Sequence, residues 1–171
     1  GMKLDSTSTP ESRPLVKICC APNNMPFTVT GSLGTHATLW KTETVADSNT
    51  LIPVASLLKG GHTERLMALS WHPEAFSSSN SSAMLATASV DGRCMLWDCR
   101  EGMSNNSVNS GSNGSGSGTA TPAIAPIKIL EGHKGAVTDC AFHPNGQLLA
   151  TSGVDYSWRL YDCETRQNVL I

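Results

Sequence analysis

The stretch GHKGAVTDCAFHPNGQLLATSGVDYSWRLYD, from Gly132 to Asp162, decides the fold. It opens on Gly-His, closes on an aromatic-Asp pair and holds three short apolar runs separated by turn signals. Asn145-Gly146 between two of these runs is a strong signal for a β-hairpin. Because the runs are short and show no helical periodicity, the stretch predicts consecutive antiparallel β-strands.

The same pattern occurs twice more upstream. A second copy runs from Gly61 to Asp98, and a weaker third copy closes at Trp40. The closing aromatic residues are 57 and 64 residues apart, and omitting segment 103–121 shortens the second spacing to 45. Each copy has four strand-like runs, so the sequence predicts an all-β fold of three four-stranded antiparallel units.

These repeats divide the chain into segments with different expected behaviour. The polar residues 1–13 are expected to form a disordered arm. Segment 103–121 is rich in Ser, Gly and Asn and lacks periodicity, so we expect a flexible insertion. The repeat units are a degenerate first unit at 14–60, a second at 61–131 that contains the insertion, and a third at 132–171.

Composition and charge argue against several function classes. The net charge of −2 gives no electrostatic footprint for nucleic acid or an anionic membrane. No apolar run reaches the roughly 18 to 20 residues that span a bilayer. The six cysteines form no C-x-x-C pair, so we expect buried, reduced thiols in a cytosolic or nuclear protein. His72 and His143, each before a proline, are expected to be turn residues rather than metal ligands.

The Gly-His openings and aromatic-Asp closings resemble those of the WD40 family of β-propellers. The resemblance implies a structural tetrad, in which a His before the first strand, a Ser or Thr in the second, an Asp in the next turn and a Trp in the third are hydrogen-bonded. The second repeat supplies His62, Thr87, Asp91 and Trp97.

The other two repeats depart from this tetrad. The third repeat supplies His133, Thr151, Asp155 and Tyr161. Its Tyr carries a shorter donor than Trp and aims it differently. The first repeat has Thr30 and Trp40 but Gly34 in place of the Asp, so we expect no tetrad there. Because these sets recur with the repeat, we interpret them as architecture and predict no catalytic residue, metal site or cofactor.

One segment of the third repeat points to a subfamily. The run Ser157-Trp158-Arg159-Leu160 before the aromatic-Asp closing resembles the WD-repeat component of the U4/U6 small nuclear ribonucleoprotein, the pre-mRNA processing factor 4 family. The resemblance implies a non-catalytic nuclear scaffold of the U4/U6 particle and the U4/U6·U5 tri-snRNP. Its partners would be other splicing-factor proteins, with indirect contact to the U4/U6 snRNA and no membrane association.

A competing function comes from the run Trp97-Asp98-Cys99-Arg100, which matches the W-D-x-R box of WD40 substrate receptors in cullin-type ubiquitin ligases. In that interpretation the Arg would reach an acidic adaptor surface. The box is a weak signal, because the Asp closes a strand in either case.

Five residues are candidates for binding a protein partner. Leu33, Val90 and Val154 stand just before the Asp position of each repeat, where polar residues are expected in a turn. They form either an apolar rim that binds a partner or a local cap on the core. Trp158, beside Arg159, packs between blades or is an exposed anchor.

Three blades are too few to close a propeller, which typically takes four to eight. We therefore expect the chain to be a three-blade fragment of a longer protein. Its two outermost blade faces would be uncovered and would lead to self-association, with two chains pairing into a six-blade ring.

Overall fold

The computed structural model describes residues 14–45, 48–57, 60–77, 83–104, 121–165 and 168–170. The predicted arm at 1–13 and most of the predicted insertion at 103–121 lie outside these residues. Within the described part, no helix is long and apolar enough to cross a membrane. The described elements are β1 Leu15–Cys20, β2 Phe27–Ser32, β3 Ala37–Val45, β4 Ser48–Leu57, β5 Leu66–Trp71, β6 Met84–Ser89, β7 Cys94–Asp98, α1 Arg100–Ser104, β8 Ala123–Ile124, β9 Lys128–Leu130, β10 Val137–Phe142, β11 Leu148–Gly153, β12 Trp158–Asp162 and β13 Asn168–Leu170.

These strands form three sheets in which neighbouring strands follow the chain order. The sheets are β1-β2-β3-β4-β8, β5-β6-β7-β9 and β10-β11-β12-β13. Except for β8, every pairing is antiparallel. The predicted all-β class is therefore confirmed, and the second and third sheets are the expected four-stranded antiparallel blades. The first strands β1 and β10 each pack against β5, so the sheets radiate from a common inner edge.

The first sheet has a fifth strand that the sequence did not predict. Strand β8 pairs in parallel with β4, and the Ser56 N–H donates to the carbonyl of Pro122 over 2.9 Å. The chain thus returns across the outer edge of the first sheet before β9 joins the second. This pairing covers the end of an edge strand whose backbone groups would otherwise be unpaired.

The pairing of β3 with β4 extends out to Val45 and Ser48. The first two residues of the predicted flexible insertion, 103 and 104, lie in α1. Asp98 caps this helix, because its Oδ1 accepts the Arg100 N–H over 3.0 Å.

The core lies between adjacent sheets in two clusters. One joins the first and second sheets around Leu39, Leu85 and Trp97, and the other joins the second and third around Leu96 and Leu149. All six cysteines are free, and Cys94, Cys99, Cys140 and Cys163 are buried. The expectation of buried thiols was wrong for Cys20, which is exposed, and for Cys19, which is half-buried.

Polar groups also tie neighbouring sheets together at the edge opposite the Asp turns. The Trp71 indole donates to the Cys19 carbonyl over 3.1 Å. The His72 Nδ1 accepts the Glu74 N–H over 3.1 Å, so its Nε2 carries the proton and donates to the Gly146 carbonyl over 2.9 Å. His72 was predicted to be only a turn residue, but it also joins the second sheet to the third.

Candidate protein-interaction face

The second repeat contains a continuous hydrogen-bonded chain of four side chains. The Trp97 Nε1–H donates to Thr87 Oγ1 over 2.8 Å, and the same oxygen lies 2.7 Å from His62 Nε2. His62 Nδ1 lies 2.9 Å from Asp91 Oδ2. Because a carboxylate only accepts, His62 Nδ1 carries a proton and donates to Asp91.

This chain holds the Asp91 turn in place. Burial by itself raises the pKa of Asp91, but the hydrogen bond from His62 and the backbone N–H groups of Thr63 and Arg93 bring the pKa below its ordinary value. The His62 and Asp91 side chains are only 1% and 3% exposed. The network is therefore shielded from solvent and positions the turn.

The third repeat reproduces the His–Asp and His–Thr contacts. His133 Nδ1 lies 3.1 Å from both Asp155 oxygens, and its Nε2 lies 2.9 Å from Thr151 Oγ1. The Tyr161 hydroxyl donates instead to the Glu131 carbonyl over 3.2 Å, and burial raises the pKa of the phenol. The substitution of Tyr for Trp therefore redirects the donor to the backbone before the Gly-His opening.

A serine that the sequence indicated only as part of the subfamily run completes the third network. Ser157 Oγ donates to Asp155 Oδ1 over 2.7 Å. In the second repeat a different serine, Ser89, holds the turn by accepting the Asp91 N–H over 3.2 Å. The third repeat has Gly153 at that position, and a Cβ there would crowd His133 and Asp155. One serine thus replaces another within the same turn.

The first repeat retains half of the network. The Trp40 indole donates to Thr30 Oγ1 over 2.8 Å, although neither an Asp nor a preceding His is present. Ser32 Oγ accepts the Gly34 N–H over 2.9 Å and holds the turn from the strand side. Ser32 and Ser89 each stand two residues before the turn residue whose N–H they accept. This shared position was the sequence signal that could have revealed how a serine holds the turn.

The three predicted rim residues occupy equivalent positions on one face. The N–H groups of Leu33, Val90 and Val154 donate to the carbonyls of Pro14, Arg65 and Ala136, each just before the first strand of the same sheet. Leu33 is 36% and Val154 55% exposed, whereas Val90 is half-buried. All three turns therefore join the start of an inner strand, and two of them present apolar surface to solvent.

The third sheet exposes a cluster of large side chains near this face. Trp158 is 54% exposed and lines an open groove of about 200 Å³ with Asp139, Ala141 and Ser152. Tyr156 is fully exposed and has a φ of 61°, where the equivalent Gly92 has a φ of 82°. Trp158 is thus exposed among the described residues, and both alternatives for it, packing between blades or acting as an exposed anchor, stay predictions.

Arg159 lies on the opposite side of β12 from Trp158 and packs on the backbone before His133. A Cβ at Gly132, whose φ is 133°, would collide with the guanidinium, so glycine is needed for this contact. The buried Arg159 Nε has no hydrogen-bond partner among the described residues. Arg159 therefore contributes packing beside the face rather than an exposed charge.

The residues of the competing W-D-x-R box are mostly buried or hydrogen-bonded within the chain. Trp97 is 1% exposed, and Asp98 Oδ1 accepts the N–H groups of Ala83 and Arg100. Arg100 is half-buried, is the first residue of α1 and has an interaction of its own within the chain.

Comparison with known families gives a match to the WD40 family (WD domain, G-beta repeat) over residues 53–98 and 124–162. Each matched range ends at the aromatic-Asp pair that closes the third strand of a sheet. The first range begins inside β4 of the first sheet. The second begins at the end of β8, just before β9, the last strand of the second sheet. A sequence repeat thus supplies the last strand of one sheet and the first three strands of the next.

Three relatives illustrate the range of similar proteins. The guanine nucleotide-binding protein subunit beta of Oryza sativa subsp. japonica is 27% identical over 89% of this chain and 45% of its own length. The U4/U6 small nuclear ribonucleoprotein PRP4 of Saccharomyces cerevisiae is 25% identical over 74% of this chain and 22% of its own length. The human U5 small nuclear ribonucleoprotein 40 kDa protein is 50% identical over 23% of this chain and 12% of its own length. The chain thus spans less than half the length of these relatives.

Proposed function

Because residues 53–98 and 124–162 are WD40 repeats, we propose that this chain is a non-catalytic scaffold of the U4/U6 small nuclear ribonucleoprotein and the U4/U6·U5 tri-snRNP in pre-mRNA splicing. WD40 domains mediate protein interactions. In this proposal the partners of the chain are other splicing-factor proteins. It acts in the nucleus, and its contact with the U4/U6 snRNA is indirect.

The observation that supports this proposal most strongly is that two similar proteins are, by name, components of small nuclear ribonucleoproteins. One of them is similar over 74% of the chain. The guanine nucleotide-binding subunit is similar over a larger share at comparable identity, so a decisive experiment must separate the two classes.

Affinity purification of the tagged chain from nuclear extract, followed by mass spectrometry, makes that separation. We expect proteins of the U4/U6 particle to be enriched over a tag-only control. Enrichment of guanine nucleotide-binding protein subunits instead would contradict the proposal. So would enrichment of a cullin-ligase adaptor that is lost on Arg100→Ala.

We place the docking surface on the face formed by Leu33, Val90 and Val154. Charges introduced there by Val90→Asp with Val154→Asp are expected to abolish recovery of the partner proteins. Ile52→Asp with Ile129→Asp is the matched control, since both residues are 39% exposed apolar positions on the outer strands β4 and β9. Undiminished recovery by a folded face variant would refute this placement.

Self-association is a further part of the proposal. The second sheet buries Ala88 and Leu96 against the third, whereas the equivalent face of the third sheet leaves Trp158 54% exposed. The first sheet exposes Leu15 and Ile18 on its own free side, at 58% and 71%. A second copy related by a two-fold axis would cover both faces at once.

A further inference from the structure

A groove opens between the first and second sheets beside the rim. It has a volume of about 210 Å³ and is lined by Lys17, Leu33, Arg65, Leu66 and Met67. Two backbone hydrogen bonds fix its walls, because the Leu33 N–H donates to Pro14 and the Leu66 N–H donates to Gly34 over 3.1 Å. The groove is therefore a feature of the strand framework rather than of a loose loop.

The lining combines two cations with apolar surface and includes no acidic residue. Lys17 and Arg65 are exposed, and neither forms an ion pair within the described residues. Other cations of the chain do pair, as Arg93 does with Glu131 at 3.3 Å. The two free cations thus face an apolar floor without a counter-charge from the chain's described part.

The positive charge also reaches the inner edge of the sheets. The hydrogen bond with Cys94 and burial raise the pKa of the Cys140 thiol on β10, and Lys17 on β1 opposes that shift. The Lys17 side chain on β1 therefore acts electrostatically on a buried thiol of the inner strand β10.

We propose that this groove binds a short acidic segment of a protein partner. One carboxylate lies between Lys17 and Arg65, and a neighbouring apolar side chain covers Leu33 and Met67. The inference rests on the proposed function in that it takes the same face as the docking surface. Val90 connects the two, because its N–H donates to the Arg65 carbonyl over 3.1 Å.

The lining favours an acidic peptide over a nucleic acid. Single-stranded RNA is bound by cationic grooves that also offer aromatic side chains for base stacking. No aromatic residue lines this groove, and its floor is aliphatic and thioether. Carboxylates beside apolar side chains match it in both charge and polarity.

Panning a random-peptide display library against the purified chain tests the proposal. We expect enriched peptides to contain an Asp or Glu next to a Leu, Ile, Met or Phe. The most enriched peptide, labelled with fluorescein, is then titrated by fluorescence anisotropy. Its dissociation constant is expected to rise at least tenfold on Arg65→Glu or Lys17→Glu and to increase with salt. Lys134→Glu, at an exposed cation in the loop before β10, is the control and should change the dissociation constant less than twofold.

Charge exchange gives the decisive result. A version of the peptide with Lys in place of its acidic residues is expected to regain affinity for Arg65→Glu. Enrichment of peptides without acids, equal binding by the groove and control variants, or stronger competition by oligouridylate RNA than by unlabelled peptide would each overturn the proposal.

This test is independent of the splicing proposal, because it uses no splicing component. If acidic peptides bind but U4/U6 proteins fail to co-purify, the groove proposal stands and the splicing proposal is overturned. If U4/U6 proteins are recovered equally well with Arg65→Glu, the splicing proposal stands and the groove proposal is overturned.

Discussion

Trp97 and Trp40 make the same indole-to-threonine hydrogen bond, yet only that of Trp97 continues to a histidine and an aspartate. Both bonds measure 2.8 Å, to Thr87 and Thr30. Trp97 is 1% exposed, whereas Trp40 is half-buried at the side of the first sheet. The same residue type thus serves a fully desolvated network in one repeat and a partly hydrated pair in another.

We expect Trp97→Phe to lower the free energy of unfolding by about 1 to 3 kcal/mol, because it leaves a buried threonine hydroxyl with one partner fewer. Urea unfolding followed by circular dichroism measures this. Trp40→Phe is the matched control and should have a smaller effect, since water can replace the lost donor. An equal or larger loss for Trp40→Phe would contradict the interpretation.

Three carboxyl groups make stability depend on acid pH. In the folded chain the pKa values of Asp91, Asp155 and Asp162 lie below the ordinary value. For Asp155 the causes are the Lys134 N–H and then the Ser157 hydroxyl. A lowered pKa stabilises the fold above the unfolded value, and that contribution is lost as the pH falls. We therefore expect the contribution of these carboxylates to the free energy of unfolding to be complete above about pH 5 and to be lost below about pH 4.

Asp155→Asn tests the origin of that loss. The Asn amide cannot be protonated in this pH range. The free energy of unfolding of the variant should therefore be lower than that of the unmodified chain at neutral pH and should fall less steeply in acid. Urea midpoints measured across the acid range give both quantities. Glu164→Gln, at an exposed carboxyl after β12, should retain the steep acid dependence. The same slope for Asp155→Asn as for the unmodified chain would refute the assignment.

At the scale of elements, the sheets were predictable because each strand has its own apolar run and turn signal. Strand β8 was not, since Ala123-Ile124 is too short to show alternation and its pairing with β4 depends on a contact distant in sequence. The support from Ser157 was hidden for a similar reason. It replaces a serine four residues earlier in the repeat, so residue-by-residue matching of the repeats could not reveal it.

The candidate site was partly predictable. The resemblance to the WD40 family implied the His–Asp and His–Thr contacts, at positions that recur in two repeats. The redirection of the Tyr161 hydroxyl to Glu131 does not, because it depends on the length of one side chain against a particular carbonyl. The groove at Lys17 and Arg65 was not predicted either, since its residues come from two sheets and share no motif.

The contact between the second and third sheets depends on a glycine. Gly146 has a φ of 75°, and a Cβ there would collide with His72 Nε2. We expect Gly146→Ala to lower the free energy of unfolding by about 2 kcal/mol or more, from backbone strain together with the lost hydrogen bond. Gly60→Ala, with a φ of 68° and nothing within 4 Å of the added Cβ, isolates the backbone contribution. Urea unfolding should show a clearly larger loss at Gly146, and equal losses would contradict a role for His72.

At the scale of the whole molecule, what matters is which sheet faces remain uncovered. Packing between sheets repeats along the chain. The face that one sheet presents to the following sheet is therefore complementary to the face that the following sheet presents back. Within the described residues, Ile18 on the first sheet and Trp158 on the third are the clearest exposed members of such faces, at 71% and 54%. A pair of chains that matched first sheet to third at both contacts would bury four such faces in one closed ring.

Such a pair predicts a definite response to charge. We expect light scattering at micromolar concentration to give a molar mass twice that of the monomer. The double variant Ile18→Glu with Trp158→Glu should reduce this molar mass to the monomer value. The added carboxylates would be buried without partners in the paired state, which favours separation. Ile129→Glu, at an exposed position on the outer strand β9, should leave the pair intact. A monomeric unmodified chain, or a pair that resists both face substitutions while remaining folded, would exclude this arrangement.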